Sequence, residues 1–318
     1  MMSEIIISLI TPAYNPGEFI LETFDSLENQ TFKNFEWIIV DDASNKKNQL
    51  LFDKISEVAT FKVLIIRNSK NLLQSKSKNI GLKKAKGKFI KFIDADDLID
   101  CEHLENQYNL IKNSISEHIA VFSPTHNFVG SIHSKNSHIN LAYKEVETKN
   151  LAQLKKFIVQ PFFHHCSCLF NRDDLFKING FDENLITDED GDLIIRLMLN
   201  GMVFLLCETS YYYYRHHNLS RVSRNNSNLK WEHRLKVCEK IENSLNIQNI
   251  DLYETLAQRL DNLGLESFKN NEEMSHVFFR KAEKVYPNYS FSGNKYQNIV
   301  RKLVGINMMF KIKGLLQN

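Results

Sequence analysis

The sequence predicts an α/β fold built on a mostly parallel sheet. Four apolar runs alternate with segments of helical periodicity through the first hundred residues. The runs are continuous rather than alternating, which is typical of parallel strands covered on both faces. Polar residues follow three of these runs, and open α/β sheets bind ligands beyond the carboxyl ends of their strands. A single ligand site is therefore expected at that edge of the sheet.

The predicted elements of the first half follow in chain order. The predicted strands cover residues 5–10, 35–40, 62–67 and 88–93. Asn15 is expected to cap the first helix, with Pro16 at its first position. Apolar residues repeated at i, i+4 and i+7 predict two further helices, around Ile55 and around Tyr108. The alternation of strand and helix predicts a βαβ series.

The pattern is weaker beyond residue 118. Strands are predicted at 119–124, 165–170 and 203–207. Helices are predicted over 151–159 and from near Thr187, the latter ending before Gly201. From about residue 228 charged helical segments replace the strand signals. The sequence thus predicts an α/β domain over 1–227, with halves 1–100 and 101–227, and a helical C-terminal extension over 228–318.

Composition narrows the class of protein. Forty basic residues against 38 acidic ones leave a formal charge of +2, which argues against a nucleic-acid-binding protein. Five cysteines are too few and odd in number for a disulfide framework, so a reducing cytoplasm fits best. The first apolar run lacks a basic flank and a cleavage site, and is predicted to be a strand rather than a signal peptide.

Three carboxylates follow the fourth predicted strand. In extended backbone Asp94 and Asp96, separated only by Ala95, face one side and Asp97 faces the other. Like charges held this close repel, and a cation between them relieves the repulsion. Oxygen ligands of this type suit magnesium or manganese. The alternative is a solvated acidic turn that only ends the strand. Asp97 is expected to have a structural role.

Six segments, in this order and spacing, resemble the family 2 glycosyltransferases over about residues 4 to 225. They are ITPAYN, QTFKNFEWIIVDDAS, KNIGLKKAKGKFIKFIDADD, GFDE, EDGDLIIR and YRHHNLS. The resemblance implies a GT-A fold, a nucleotide-sugar donor, a divalent metal (Mn2+ or Mg2+) and inversion at the anomeric carbon. It also implies that 1–100 is the nucleotide-binding half and 101–227 the acceptor and catalytic half.

The resemblance also assigns donor-binding residues. Asp96 is the expected direct metal ligand, and Asp94, beside Ala95 in the donor turn, lies near the ribose or the metal. A metal held there would stabilise the charge that develops on the leaving diphosphate. For the nucleoside, the resemblance implies backbone contacts from Pro12, a ring face from Tyr14 and a contact of Asp42 with the uracil edge. Lys78 stands where the family has an arginine that contacts base or phosphate. Arg215, His217 and Ser220 are expected on a loop that closes over the diphosphate.

Two of these assignments leave alternatives open. Asp42 follows a strand and also fits an Asx-type turn. His217 is the expected third metal ligand, but the adjacent His216 offers the same chemistry. Lys78 keeps the positive charge of arginine without its planar fork, and a glycine is often found where Leu72 stands. Neither of those departures touches a residue that carries the reaction.

The acceptor hydroxyl must lose a proton as it attacks, which requires a carboxylate. Asp190 matches the general base of the family, and Glu189 is the reserve candidate. The alternative is that Asp190 belongs to a capping box with Thr187. Stabilising the charged form in a cap lowers the pKa and weakens a base. The two roles are therefore partly exclusive.

The combined prediction is a cytoplasmic, metal-dependent, inverting transferase. It is expected to move a sugar, from UDP in the first instance, to a hydroxyl of a growing glycan such as lipooligosaccharide, capsule or O-antigen, free or lipid-linked. A sugar-1-phosphate nucleotidyltransferase and a non-catalytic nucleotide-sugar-binding protein are the alternatives. Residues 164–168 could also be a zinc site, but they lack a second ligand pair at ordinary spacing, and a strand near the acceptor cleft is predicted there instead. Residues 299–316 are basic and apolar, and fit a membrane surface, the catalytic domain or a second subunit of a homo-oligomer.

Overall fold

The computed structural model describes residues 4–114, 118–134, 137–140, 143–144, 149–217, 228–246, 249–287 and 289. The chain divides into two compact units. The first consists of Met1–Phe157 and Pro161–Asn225, and the second of Ile158–Gln160 and Asn226–Asn318. The predicted contacts of Ser220 and of residues 299–316 lie outside the described residues.

The strands of the described residues are β1 (Ile7–Ala13), β2 (Phe35–Asp41), β3 (Lys62–Arg67), β4 (Phe89–Phe92), β5 (Leu98–Ile99), β6 (Ile119–Phe122), β7 (Thr125–Phe128), β8 (His138–Ile139), β9 (Cys168–Asn171), β10 (Val203–Leu206) and β11 (Tyr212–Arg215). The helices are α1 (Phe19–Glu28), α2 (Lys46–Val58), α3 (Leu73–Lys84), α4 (His103–Lys112), α5 (Asn150–Val159), α6 (Arg172–Lys177), α7 (Glu189–Leu199), α8 (Asn228–Ser244), α9 (Ile250–Ser267) and α10 (Glu272–Val285).

The main sheet has seven strands in the order β10-β6-β9-β4-β1-β2-β3. All neighbours are parallel except β9, which pairs antiparallel with both β4 and β6. Every residue of β2 and of β4 is buried. The continuous apolar runs are explained by this burial on both faces. The prediction of a mostly parallel α/β sheet flanked by helices is confirmed.

Two helix starts differ from the prediction. α1 begins at Phe19, because Asn15 has a φ of 50° and its Oδ1 accepts a hydrogen bond from the Asn45 N–H (2.9 Å). α7 begins at Glu189 and not at Thr187, with Asp188 at the N-cap in the left-handed region (φ 58°). The predicted helices around Ile55 and Tyr108 are confirmed as α2 and α4.

A second sheet, with the order β5-β11-β7-β8, was not predicted. β11 pairs antiparallel with β5 and parallel with β7, and β7 pairs antiparallel with β8. Because β5 and β8 have only two residues each, they are too short to produce a recognisable periodicity. This sheet brings the end of β11 beside the acidic turn that follows β4.

The second unit is helical in the part of the chain that is described. Gly264 of α9 lets the Phe279 ring of α10 approach so closely that a Cβ at this glycine would lie 2.5 Å from the ring. Tyr289 Oη donates to Asp261 Oδ1 (2.8 Å). The predicted helical C-terminal extension is confirmed. No helix among the described residues has the length and apolar character that crossing a membrane requires.

Candidate active site

The acidic cluster lies in a tight turn and not on extended backbone as expected. β4 ends at Phe92, and the Asp97 N–H donates to the Asp94 carbonyl (3.2 Å). Thr23 Oγ1 of α1 donates its one proton to the Asp97 carbonyl (2.9 Å) and also lies 3.2 Å from the Ala95 carbonyl. The predicted alternation of side chains therefore does not apply here. The neighbouring helix α1 fixes the conformation of this turn.

Asp97 has the structural role that its position suggested. Its side chain is fully buried, Oδ2 accepts from Tyr212 Oη (2.6 Å), and Oδ1 accepts from the Arg215 N–H (2.8 Å). Burial raises the pKa of Asp97 well above its usual range, and the nearby charges of Asp96 and Asp94 act in the same direction. Asp97 thus connects the turn to β11.

The connection to β11 brings His217 to Asp96. His217 Nε2 lies 2.7 Å from Asp96 Oδ2, and its ring stacks on Phe19 with a centroid distance of 5.2 Å. His216 Nε2 lies instead 3.0 Å from Asn127 Oδ1. Of the two adjacent histidines, His217 is the one placed beside the acidic turn. Carboxylate and imidazole ligands, with Asp94 close by in the same turn, fit a divalent ion such as manganese.

Arg215 has a different environment from the phosphate contact that was predicted. Its guanidinium lies between the rings of Phe19 and Phe128, 4.7 Å from each centroid. Nε donates to the Asp96 carbonyl (2.7 Å), and Nη2 donates to Glu22 Oε2 (2.7 Å). The side chain is buried and its donors are used within the protein. Arg215 holds the backbone of the acidic turn in place instead of facing a diphosphate.

The residues predicted to contact the nucleoside lie at the carboxyl ends of β1 and β2. Pro12 is in β1, and the Tyr14 ring just beyond it is 57% exposed. Asp42 is buried, with Oδ1 accepting from the Leu72 N–H and Oδ2 from the Leu73 N–H (both 2.8 Å). An Asx-type contact is made by Asp41, whose Oδ1 accepts from the Ser44 N–H (2.8 Å). Uracil recognition by Asp42 stays a prediction.

The left-handed residue of the loop held by Asp42 is Leu73, with a φ of 70°. The sequence had suggested that Leu72 replaces a glycine, but Leu72 has a φ of −105°. A side chain at positive φ is unfavourable because Cβ approaches the backbone too closely. The hydrogen bond from the Leu73 N–H to Asp42 helps to hold this conformation.

Asp190 lies at the start of α7 and faces two imidazoles. Its Oδ2 is 3.7 Å from His164 Nε2 and 3.7 Å from His165 Nδ1. Burial acts to raise the pKa of Asp190, but the two imidazoles lower it below its usual range. Because the N-cap of α7 is Asp188, the predicted capping box with Thr187 is not formed. The carboxylate is ionised and partly exposed, and its lowered pKa makes it a weaker base than an unperturbed aspartate.

Glu189 points to a different partner. Its Oε1 lies 3.5 Å from Lys78 Nζ, which is fully buried and 4.9 Å from the Phe181 ring centroid. Burial raises the pKa of Glu189 to about 7, although the charge of Lys78 opposes this. Burial acts to lower the pKa of Lys78, but Glu189 and then Asp94 raise it. Lys78 therefore lies between the acidic turn and the candidate bases.

Sequence reasoning missed the residues that hold these groups in place. Asn79 donates to the Phe181 carbonyl (2.9 Å) and accepts from the Phe181 N–H (2.9 Å), which ties α3 to the GFDE segment. His164 and His165 had been noted only as zinc candidates. Their contact with Asp190 joins segments distant in sequence, so no local pattern indicated it.

Comparisons with known proteins identify the family and the fold of this chain. The family described as Glycosyl transferase family 2 matches residues 8–178, more than half of the chain. An uncharacterized glycosyltransferase of Methanocaldococcus jannaschii is 28% identical over 70% of this chain and 76% of its own length. The poly(ribitol-phosphate) beta-N-acetylglucosaminyltransferase TarP of Staphylococcus aureus is 31% identical over 65% of this chain. The match covers 62% of TarP, less than two thirds of that relative.

Two solved structures have a similar fold. S. aureus TarS, determined with UDP-GlcNAc, superimposes with a TM-score of 0.66 at 21% identity, covering 87% of this chain and 79% of that one. The mannosyltransferase PcManGT of Pyrobaculum calidifontis, with GDP-Man and Mn2+, gives 0.53 at 14% identity, covering 99% and 81%. Together with the family match, they lead to one conclusion: the chain belongs to the family 2 glycosyltransferases and has the GT-A fold.

Proposed function

We propose that this glycosyltransferase transfers a sugar from a UDP-sugar to a hydroxyl of a growing surface glycan, with inversion and with a divalent metal. The observation that carries the proposal is the meeting of Asp96 with His217 at the turn that contains Asp94. These residues would hold manganese or magnesium, which supplies a positive charge to stabilise the leaving diphosphate. TarS with UDP-GlcNAc and PcManGT with Mn2+ support the choice of donor class and ion.

The chain's own residues provide the rest of the chemistry. Asp190 accepts the proton of the acceptor hydroxyl because 37% of its side-chain surface is exposed, whereas the Glu189 side chain is buried against Lys78. Glu189 is the reserve base. Lys78 places a buried positive charge between Glu189 and Asp94. Arg215 and Asp97 keep the turn rigid, so that the ligands do not have to reorganise when the donor binds.

The names of similar proteins guide the choice of acceptor. TarP is named for transfer to poly(ribitol-phosphate), and another relative, AmsB of Erwinia amylovora, for amylovoran biosynthesis. We infer that the acceptor is a glycan or a lipid-linked glycan reached from the cytoplasm. Peripheral membrane contact through 299–316 and a homo-oligomer are part of this proposal, since lipid-linked acceptors lie at the membrane surface.

Donor binding tests the metal site directly. We expect UDP-GlcNAc to raise the melting temperature of the protein when Mn2+ is present and not in chelator. A ligand at about 100 times its Kd stabilises the native state by about 2.7 kcal/mol. Asp96→Asn should abolish the shift, whereas Asp173→Asn, at an exposed aspartate, should retain it. If Asp96→Asn and the wild type showed the same shift with and without Mn2+, the metal assignment would be contradicted. If GDP-mannose raised the melting temperature and UDP-GlcNAc did not, the donor would be assigned to GDP-sugars instead of UDP-sugars.

The base is tested by turnover rather than binding. Asp190→Asn is expected to bind the donor with normal affinity. Its rate of transfer, measured as UDP release, should fall by about a hundredfold or more, since general base catalysis typically contributes 10²–10⁴-fold. Glu189→Gln is the matched comparison. If Asp190→Asn turned over donor normally and Glu189→Gln did not, the role of base would pass to Glu189. If neither variant altered turnover, the catalytic proposal as a whole would fail.

A further inference from the structure

Two imidazoles and one carboxylate converge at the start of α7. His164 Nε2 and His165 Nδ1 each lie 3.7 Å from Asp190 Oδ2. We propose that these three atoms form a second metal site, selective for Zn2+ or a similar transition metal and separate from the Asp96–His217 pair. The inhibitory part of the inference, developed below, rests on the proposed role of Asp190 as base.

The separations fit a tetrahedral ion. Zinc bonds to imidazole nitrogen and carboxylate oxygen are about 2.0–2.2 Å long, so tetrahedral ligand atoms lie roughly 3.3–3.5 Å apart. The two distances of 3.7 Å need a contraction of only a few tenths of an ångström. His164 and His165 are consecutive, with ring centroids 4.6 Å apart, and α7 supplies the third ligand. Ligands on different elements are therefore already in position before an ion binds.

The surroundings of His165 suit a ligand role. Metal binding requires a neutral imidazole with a free lone pair. Cys166 Sγ lies 3.2 Å from His165 Nε2. Without an ion, Nδ1 faces Asp190 as a donor. A bound ion would replace that proton, and the ring proton on Nε2 would then be donated to this sulfur.

Exposure shows the side from which an ion would enter. The side chains of His164 and Asp190 are 26% and 37% exposed, whereas His165 is 3% exposed and Cys166 is fully buried. His165 and Cys166 thus form the floor, and His164 and Asp190 form the open side. Two nitrogens and one oxygen favour zinc over magnesium or manganese, which prefer oxygen ligands. The Asp96 site, with its carboxylates, has the opposite preference.

The site predicts a specific regulation of the transferase. A zinc ion bound to Asp190 Oδ2 occupies the lone pair that would accept the proton of the hydroxyl, and its charge lowers the basicity of the carboxylate. Zinc is therefore expected to inhibit transfer without displacing manganese or the donor. Inhibition of this kind is non-competitive with the nucleotide sugar.

Zinc binding is measured first in the Asp96→Asn background, without nucleotide, so that the acidic turn does not contribute. In competition with a chromophoric chelator, we expect one zinc per chain. His164→Gln should weaken the zinc affinity by at least about tenfold. His133→Gln, at an exposed histidine, should leave the zinc affinity unchanged. Cys166→Ala should weaken it by about tenfold and Cys166→Ser by less, because the serine keeps an acceptor. Equal affinity in His164→Gln and its parent would overturn the site.

Turnover measurements distinguish a failure of the zinc proposal from a failure of the assignment of Asp190 as base. In enzyme with an intact Asp96 and saturating Mn2+, zinc should suppress UDP release, and His164→Gln should resist it. Zinc bound at this cluster without inhibition would overturn the regulatory part of the proposal. A normal rate in Asp190→Asn without zinc would instead remove the proposed base, while the affinities measured in the Asp96→Asn background still decide whether the metal site exists.

Discussion

Lys91 places an amine inside the main sheet, and its substitution has a pH dependence that can be worked out. Its side chain is fully buried, and Nζ donates to the Cys166 carbonyl (2.9 Å) and to Gln107 Oε1 (3.3 Å). The titratable groups around it are Cys166, Cys168, Cys207, His103 and Tyr212, whose ring centroid lies 5.7 Å from Nζ. Burial lowers the pKa of Lys91 to about 8, although the three thiols act in the opposite direction. We consider the variant Lys91→Met.

The magnitude follows from the pKa difference between the folded and unfolded states. An exposed lysine has a pKa of about 10.4, so a folded value near 8 costs the protonated folded state about 3 kcal/mol. Below about pH 8 both states hold the proton and the cost is complete. Between about pH 8 and 10.4 the folded state releases its proton first, so stability rises with pH. Lys91→Met lacks this rise.

The pH slope is a better test than stability at a single pH. Lys91→Met removes the cost of the charge but leaves the Cys166 carbonyl and Gln107 without a donor, and each such loss costs about 1–3 kcal/mol. At neutral pH these effects nearly cancel. From about pH 7 to about pH 10, however, the unfolding free energy of the wild type should rise by about 2 kcal/mol relative to the variant.

Urea unfolding at several pH values measures this difference. Other ionisable groups are present in both proteins and largely cancel when the variant is subtracted. Lys84→Met, at an exposed lysine of α3, is the matched control and should show no pH-dependent difference from the wild type. A difference between wild type and Lys91→Met that stays flat over this range would refute the lowered pKa and the reasoning from burial.

Two further predictions concern backbone and packing. Leu73→Gly should raise the unfolding free energy by about 1 kcal/mol, because glycine adopts a φ of 70° without strain. Leu73→Ala keeps Cβ and should not raise it. Equal stabilisation of the two variants in denaturant titrations would contradict the explanation by backbone strain. Gly264→Ala should destabilise by about 1–3 kcal/mol through its clash with Phe279, while Gly191→Ala, helical with open space, should stabilise by up to about 1 kcal/mol. Similar melting temperatures for both alanine variants would contradict the packing explanation.

The first four strands and the site edge were predictable from the sequence because their signal is local. β2 and β4 are buried along their whole length, and that burial produces mainly apolar runs, in which Glu36 and Lys91 are the charged residues flanked by apolar ones. Parallel strands align their carboxyl ends, so Tyr14, Asp42 and Asp94 were expected on one edge of the sheet. The predicted cap of the first helix at Asn15 was wrong because Asn15 is left-handed, whereas the helix predicted to begin near Thr187 begins at Glu189, after the left-handed Asp188.

The contacts of a side chain could not be predicted from the sequence where the residue type can serve several roles. Arg215 was expected to bind phosphate, but the ring pair Phe19–Phe128 and Glu22 occupy its guanidinium. These contacts come from α1 and β7, far from β11 in sequence, and they exist only because the small sheet forms. The two-residue strands of that sheet carry no periodic signal.

The sequence by itself determined the fold class, the family and the set of chemically competent residues, because apolar periodicity and motif order are properties of contiguous segments. Only the tertiary structure decided which of those residues meet. It paired His217 and not His216 with Asp96, and Lys78 with Glu189. It also brought His164 and His165 to Asp190, because packing distant segments together sets distances of a few ångströms that no spacing along the chain encodes.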